Sequence, residues 1–135
     1  MKQRILITGG AGLLAVNWAL LMRERYDITL GLHERKVSLD GVSARPIFLE
    51  KKEVILEVFR ESCPDIVIHA AGLTGVEECE NNPARAHNIN VELAVNVAHA
   101  CAYLNIPFVH ISTDHMFSGG FQFAAETTPV SPINM

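Results

Sequence analysis

A polar cluster follows an apolar run near the end of the printed sequence. Residues 108–112 are apolar and partly β-branched, which predicts a buried strand, and the run ends at the hydroxyls of Ser112 and Thr113. His110 and His115 flank Thr113, so a histidine-activated hydroxyl nucleophile is one chemistry to consider. Side chains alternate along a strand, however, which puts His110 and Thr113 on opposite faces. The spacing therefore disfavours a His110–Thr113 pair.

A glycine-rich turn near the other end of the chain predicts dinucleotide binding. In the stretch ITGGAGLLA, Gly9 and Gly12 match the first two glycines of the pattern G-x-x-G-x-x-G, and Ala15 stands at the third position. The first glycine permits a tight turn, the second lets the backbone approach a pyrophosphate, and the helix N-terminus offers amide donors. A plain strand-to-helix turn is the alternative, but the apolar strand before it and the helical pattern after it favour a nucleotide site. With such a turn, hydride transfer is the favoured chemistry for Thr113.

The end of the second predicted strand should distinguish NAD from NADP. An acidic residue there would bind the ribose hydroxyls of NAD, whereas a basic residue would accept the 2′-phosphate of NADP. The sequence GLHERK offers one acid, Glu34, and three candidate donors, His33, Arg35 and Lys36. Three donors against one acid favour NADP, with NAD as the alternative. A solvated loop of mixed charge remains an alternative for each residue.

Short apolar runs alternate with segments of helical period along the chain. The pattern predicts five strands, at 4–8, 27–32, 46–49, 65–70 and 108–112, and helices at 13–25, 51–62 and 83–104. Apolar strands joined by helices predict a doubly wound parallel sheet of the Rossmann type, with strand order 3-2-1-4-5. Ligands then lie beyond the carboxyl ends of the strands, where both Thr113 and the glycine turn fall. In the first helix we expect Leu14, Trp18, Leu21 and Met22 to face the sheet.

Composition excludes several classes of function. The formal net charge is −4 and no basic stripe is present, so we expect no nucleic-acid partner. Three cysteines without C-x-x-C spacing indicate neither a disulfide framework nor a metal site. No apolar stretch approaches the roughly 18 residues of a membrane span, and the N-terminus has no signal-peptide pattern, so we expect no membrane partner and a cytoplasmic location.

Four segments, in this order and at these separations, carry a family resemblance: ITGGAGLLA, PDIVIHAAGLTGVEECENNP, NINVELAVNVAHAC and VHISTDHMFSGG. They resemble the extended short-chain dehydrogenase/reductase superfamily and, within it, are most similar to the dTDP-4-dehydrorhamnose reductases. The resemblance covers essentially the whole chain. It implies that residues 1–135 form an NAD(P)-binding Rossmann domain, the N-terminal part of a longer enzyme.

The resemblance also assigns roles by position. Thr113 matches the family's catalytic Ser/Thr, which hydrogen-bonds the carbonyl or hydroxyl oxygen of the substrate. Asn90 matches the helix asparagine that braces the active-site strand, and capping or pairing with backbone is an alternative role. The segment from His69 to Gly72 matches the loop along the adenine ribose of the cofactor. The implied cofactor-binding set is Thr8, Gly9, Ala11, Gly12, Leu13, Leu14, His33, Arg35, Lys36, Ala70, Ala71, Gly72, Asn90, Ile111 and Ser112.

One motif of the family is missing from the sequence. Its members carry a Tyr-x-x-x-Lys pair after the Ser/Thr, in which the tyrosine transfers a proton and the lysine lowers the tyrosine's pKa. Both tyrosines, Tyr26 and Tyr103, precede Thr113, and no lysine follows Lys52. The last ten residues, ETTPVSPINM, resemble the loop that leads into that tyrosine. We therefore expect a sheet that is incomplete on its C-terminal side and no activity from these residues alone. We also expect either self-association as a homo-oligomer or further chain that covers the edge strand.

The leading interpretation is an NADP(H)-dependent reductase of a nucleotide-linked 4-keto-deoxysugar, with a nucleotide sugar as its substrate. A nucleotide-sugar epimerase or dehydratase of the same superfamily is the near alternative. An interpretation of another class is a non-catalytic NADP-binding subunit, similar to the regulatory subunit of methionine adenosyltransferase. His115 and Met116 stand where the family has an aromatic and an aliphatic residue, so the identity of the sugar is left open.

Overall fold

Five parallel strands form one sheet in the computed structural model, which describes residues 1–120 and 123–133. The strands are β1 (Arg4–Thr8), β2 (Asp27–Leu32), β3 (Ser43–Pro46), β4 (Ile66–His69) and β5 (Phe108–His110). Their spatial order is β3-β2-β1-β4-β5, and each strand is parallel to its neighbours. The predicted doubly wound arrangement is therefore confirmed.

Helices lie in the connections between the strands, except in residues 33–42 between β2 and β3. They are α1 (Leu13–Met22), α2 (Lys52–Ser62), α3 (Val76–Asn81), α4 (Pro83–His87), a π turn (Asn88–Glu92) and α5 (Leu93–Tyr103), and a 3₁₀ turn (Asp114–Met116) follows β5. The single helix predicted at 83–104 is instead a run of three helical segments. The short α3 was not predicted, because its six residues are too few to establish a hydrophobic period.

The third strand differs from the prediction. It spans Ser43–Pro46 instead of 46–49. The N–H of Ile47 still donates to the carbonyl of the last residue of β2 at 2.8 Å, and the chain then leaves the sheet edge. Ile47 and Leu49 are buried in the core that α2 and α5 form on one face of the sheet. The apolar run at 46–49 therefore reflects burial of the segment after the strand.

The two faces of the sheet carry different helices. α2 and α5 cover one face, and α1 covers the other. On α1 the small residues Ala15 and Ala19 are fully buried, whereas Leu14 and Leu21 are 39% and 78% exposed. The predicted inward face was wrong for these two leucines, because alanine lets the helix lie close to the sheet and the bulkier side chains point away. Trp18 packs partly against the core, as expected.

β5 ends earlier than predicted, at His110. One further backbone hydrogen bond, from Ile111 N–H to the carbonyl of His69 at 3.0 Å, continues the pairing for one residue. Ser112 and Thr113 therefore lie in a loop beyond the sheet. Within the described residues β5 pairs with β4 alone and is an edge strand.

Two remaining expectations concern the ends of the chain and membranes. The loop predicted at the C-terminus includes residues 134 and 135, which lie outside the described part of the chain. Across 1–120 and 123–133, none of the helices combines the length and the apolar character that crossing a bilayer requires.

Candidate dinucleotide-binding site

The turn between β1 and α1 brings two backbone segments into close contact. Gly9 has a φ of +68°, a left-handed conformation that favours glycine. A Cβ at this position would lie 2.6 Å from the backbone nitrogen of Ala71, in the loop after β4. Gly10 also has no room for a side chain, since its Cβ would lie 2.7 Å from Cβ of Leu30. The sequence pattern did not single out Gly10, because its close neighbour comes from a different strand.

Gly12 is the N-cap residue of α1 and lines both clefts described below. Its φ of −78° suits any residue, so backbone conformation does not require glycine here. Glycine at this position instead leaves the space in front of the helix free of a side chain. α1 lies wholly within the described residues, no side chain caps it, and its first turn contains no acidic residue. The first N–H groups of the helix are therefore available to an anion, and the helix dipole favours negative charge there.

A first cleft, with a volume of about 450 Å³, opens beside the glycine turn. Its lining residues are Gly9, Gly10, Ala11, Gly12, Gly31, His33, Glu34, Arg35, Ile47, Leu49, Glu50, Ala70, Ala71, Gly72, Arg85, Ile89 and Leu93. The apolar wall of the cleft is formed by Ile47 and Leu49 after β3 and by Ile89 and Leu93 on the helical run. An apolar cleft with a few polar groups suits a planar base that carries a ribose. These four residues fall in the strand predicted at 46–49 and the helix predicted at 83–104, and their place in the cleft depends on how distant segments meet.

Charged side chains of both signs line the first cleft. Arg35 and Arg85 are the basic residues, and Glu34 and Glu50 are the acidic ones. Nε2 of His33 lies 3.7 Å from Oε1 of Glu50. The cleft therefore contains donors that suit a 2′-phosphate and acceptors that suit ribose hydroxyls.

A second cleft, of about 990 Å³, shares Gly12, Arg35, Ala70, Ala71 and Gly72 with the first. It also holds the predicted residues Leu13, Leu14, Asn90, Ile111, Ser112 and Thr113, together with Thr74, Val76, His110, His115 and Met116. Thr113, the predicted catalytic residue, is thus brought together with most of the predicted cofactor set. No tyrosine or lysine is among the described residues that line this cleft.

Two predicted cofactor residues line neither cleft. Thr8 is fully buried, and its hydroxyl oxygen lies 2.7 Å from Nδ1 of His69. The reason is strand alternation: Thr8 and Leu6 point to the same side of β1, into the core under α5. Lys36 is exposed and does not reach either cleft wall. Adjacency in sequence to a turn or a strand end was not sufficient to place these side chains in the site.

Thr113 is exposed and caps the 3₁₀ turn after β5. Its Oγ1 accepts a hydrogen bond from the backbone N–H of His115 at 3.2 Å and donates to Oδ1 of Asp114 at 3.5 Å. His110 does not join this group; its ring stacks on that of His69 with centroids 5.5 Å apart and planes 20° apart. The Thr113 hydroxyl is therefore oriented by the local turn and open to a ligand.

Asn90 holds the loop after β4. Its Nδ2 donates to the carbonyl of Leu73 at 3.1 Å, and its Oδ1 accepts from the N–H of Leu73 at 2.7 Å. The π turn presents this side chain to the loop, a use of π-helical geometry that is common at functional sites. Of the two roles considered, pairing with backbone is the one seen, and its partner is the loop, not β5.

His69 is a buried ionisable group at the end of β4. Burial first, and the charge of His110 second, lower the pKa of His69 from 6.5 to about 4. Its Nε2 has no hydrogen-bond partner among the described residues. No group of three or more His, Cys, Asp and Glu side chains in the described chain could hold a metal ion.

These features fit a dinucleotide. The uncapped end of α1 provides amide donors, a side chain is absent at Gly12, and an apolar cleft adjoins both. Thr113 lines the second cleft together with Leu13 and Leu14 of α1.

Comparison with known proteins gives a consistent result. The family model described as "RmlD substrate binding domain" matches residues 2–135. A dTDP-4-dehydrorhamnose reductase of Sinorhizobium fredii is 32% identical over 86% of this chain and 36% of its own length. The crystal structure of dTDP-4-dehydrorhamnose reductase from Bacillus anthracis in complex with NADP is 33% identical, with a TM-score of 0.81 over 99% of this chain and 45% of that one.

A UDP-glucose 4-epimerase from Brucella ovis in complex with NAD shares the fold, with a TM-score of 0.87 at 20% identity over 98% of this chain and 42% of that one. The chain therefore spans less than half the length of each of these three proteins. Since the family model matches nearly every residue, the chain belongs to the RmlD substrate binding domain family of oxidoreductases, with the fold of the extended short-chain dehydrogenases/reductases.

Proposed function

We propose that this chain is the NADP(H)-binding part of a reductase that acts on a nucleotide-linked 4-keto-deoxysugar. The observation that carries the proposal is the uncapped N-terminus of α1 at Gly12, where both clefts meet and no side chain competes with a phosphate for the N–H groups. The family match supports it, as does the NADP named for the Bacillus anthracis relative.

On this proposal the two clefts have separate tasks. The first-turn amides of α1 bind the pyrophosphate, and the apolar side chains of the first cleft pack against the adenine. Thr113 donates a hydrogen bond to the substrate oxygen in place of its 3.5 Å bond to Oδ1 of Asp114. This bond stabilises the charge that develops on the substrate oxygen. The bound nicotinamide supplies the hydride. The described residues that line the second cleft include no tyrosine or lysine, so the Tyr-x-x-x-Lys pair that the resemblance implies as proton donor is not among them.

Turnover tests this proposal directly. A longer polypeptide that contains residues 1–135 should oxidise NADPH when it is given dTDP-4-dehydrorhamnose, followed by NADPH absorbance. The 135-residue chain alone should bind NADPH and show no turnover, because no tyrosine or lysine follows Thr113. Reduction of the sugar by the chain alone would contradict the assignment of the proton donor. NADPH binding without turnover of any nucleotide sugar by the longer polypeptide would favour the regulatory alternative.

Cofactor choice gives a second prediction, on Arg35. A charge-assisted contact with the 2′-phosphate is worth about 1.5–3 kcal/mol, so Arg35→Gln should weaken NADPH binding about tenfold or more. NADH lacks this phosphate, so its affinity should change little. Calorimetry with both cofactors measures the difference.

Lys36 offers a matched control for Arg35. It is the next residue along the chain, carries the same charge and lines neither cleft. Lys36→Gln should leave both affinities unchanged. Equal losses of NADPH and NADH affinity in Arg35→Gln would show that Arg35 does not read the phosphate and would return the choice to Glu34.

A nucleotide-sugar epimerase that uses NAD is the second candidate. Glu34 and Glu50 in the first cleft favour it, because a carboxylate there accepts a hydrogen bond from the ribose 2′-hydroxyl of NAD. NADP has a phosphate in place of this hydroxyl. Product analysis distinguishes the two: an epimerase interconverts two sugar nucleotides without net consumption of cofactor.

A further inference from the structure

Three strand ends meet in one line beside the two clefts. His69 ends β4, and its register partners are Thr8 at the end of β1 and His110 at the end of β5. The His69 ring contacts both neighbours. Its Nδ1 lies 2.7 Å from the Thr8 hydroxyl oxygen, and the ring stacks on the ring of His110 with 5.5 Å between the centroids. One side chain therefore connects strands that lie on either side of it.

Each of these neighbours leads directly into one half of the site. Thr8 immediately precedes the glycine turn, and His110 stands three residues before Thr113. The turn is also packed against the segment after His69, since a Cβ on Gly9 would lie 2.6 Å from Ala71 N. The glycine turn and the segment that follows His69 are therefore in close backbone contact.

A purely structural role would not require a histidine at position 69. His69 is fully buried, and its Nε2 has no partner among the described residues. A buried polar nitrogen without a hydrogen bond destabilises the folded state and calls for an explanation. An apolar side chain would fill the same space without that cost, but it could not bond to Thr8.

We propose that His69 is a positioning residue that couples the phosphate turn after β1 to the loop that carries Thr113. It acts through its hydrogen bond to Thr8 on one side and its stack on His110 on the other. The inference rests on the proposed function for the identity of the ligand, whereas the coupling itself is a property of the protein without ligand. Binding of a dinucleotide at the turn then changes the position of the loop that carries Thr113.

Imidazole and amide NMR signals provide the test. In the wild-type chain, saturating 2′,5′-ADP, a fragment of NADPH that lacks the nicotinamide half, should shift the His110 ring signals and the Thr113 amide signal. Thr8→Val keeps the shape of the side chain and removes the hydrogen bond; it should lower NADPH affinity about tenfold and remove the response at His110. His69→Asn retains an amide that can bond to Thr8 but loses the stack, and it should also remove the response at His110.

His99→Asn is the matched control, because His99 is an exposed histidine on α5 that lines neither cleft. It should change neither the affinity nor the response. A folded Thr8→Val or His69→Asn protein in which 2′,5′-ADP still shifts the His110 signals as in the wild type would overturn the coupling.

The ligand-free spectra separate this inference from the proposed function. Without NADPH, Thr8→Val and His69→Asn should shift the amide signals of both Gly12 and Thr113. Joint shifts support the coupling even if the wild-type chain binds no dinucleotide, an outcome that would defeat the proposed function alone. Shifts confined to the turn in both variants would defeat the coupling, whatever the chain binds.

Discussion

Replacing Gly12 with valine should abolish measurable NADPH binding and leave the fold intact. Gly12 is exposed where the two clefts meet, so a side chain there occupies the space through which a pyrophosphate approaches α1. If two charge-assisted hydrogen bonds from the first turn are lost, at about 1.5 kcal/mol each, affinity falls more than about a hundredfold. The added Cβ itself would lie 3.1 Å from the Gly9 carbonyl oxygen, so this oxygen has to move by a few tenths of an ångström. Calorimetry measures the affinity, and circular dichroism checks the fold.

The control for this variant is Gly120→Val. A Cβ at Gly120 has open space, with Ser118 Oγ at 3.8 Å as its nearest contact, and the residue lines neither cleft. NADPH affinity should match the wild type. Gly9 is unsuitable for the same experiment, because its positive φ and its 2.6 Å approach to Ala71 mean that a side chain there disturbs the fold as well as the ligand. An unchanged dissociation constant for NADPH in Gly12→Val would show that the phosphate does not bind at this turn.

Sequence alone was sufficient for the sheet and its order. β1 and β2 were placed with their observed bounds, because uninterrupted apolar runs flanked by turn residues define buried parallel strands. β3 was misplaced, since a short edge strand has little burial and the neighbouring Ile47 and Leu49 have more. The inward face of α1 was misjudged for a related reason: the helix is apolar all round, so periodicity could not select the alanine side.

The candidate site was predictable where it depends on local backbone geometry. The glycine turn and Thr113 follow strand ends, and parallel strands bring such ends to one edge. Thr8 and Lys36 were misplaced, because the direction of a side chain at a strand end depends on the exact register. The apolar walls of the first cleft and the two contacts of His69 arise between segments far apart in sequence, which a one-dimensional pattern does not contain.

Acid should destabilise the protein through His69. Its pKa is about 4 in the folded chain against 6.5 for the free side chain, because it is buried and faces His110. The unfolded chain therefore binds a proton where the folded chain does not, and stability that is fully present above pH 6.5 is lost as the pH falls toward 4. This one residue accounts for a loss of about 2 kcal/mol by pH 5 and about 3 kcal/mol by pH 4.

Urea unfolding of the wild type and of His69→Asn, compared between about pH 7.5 and pH 5, isolates this contribution. Other groups also lose stability in acid: hydrogen bonds from Arg4, the backbone N–H foremost, lower the pKa of Asp65. Such contributions are common to both proteins and cancel in the difference. The wild type should lose about 2 kcal/mol more than His69→Asn over this range. If the free energy of unfolding fell equally with pH in the two proteins, the pKa of His69 in the folded state would be that of a free imidazole. Such a pKa is incompatible with a fully buried ring that has one hydrogen-bond partner and a second histidine stacked against it.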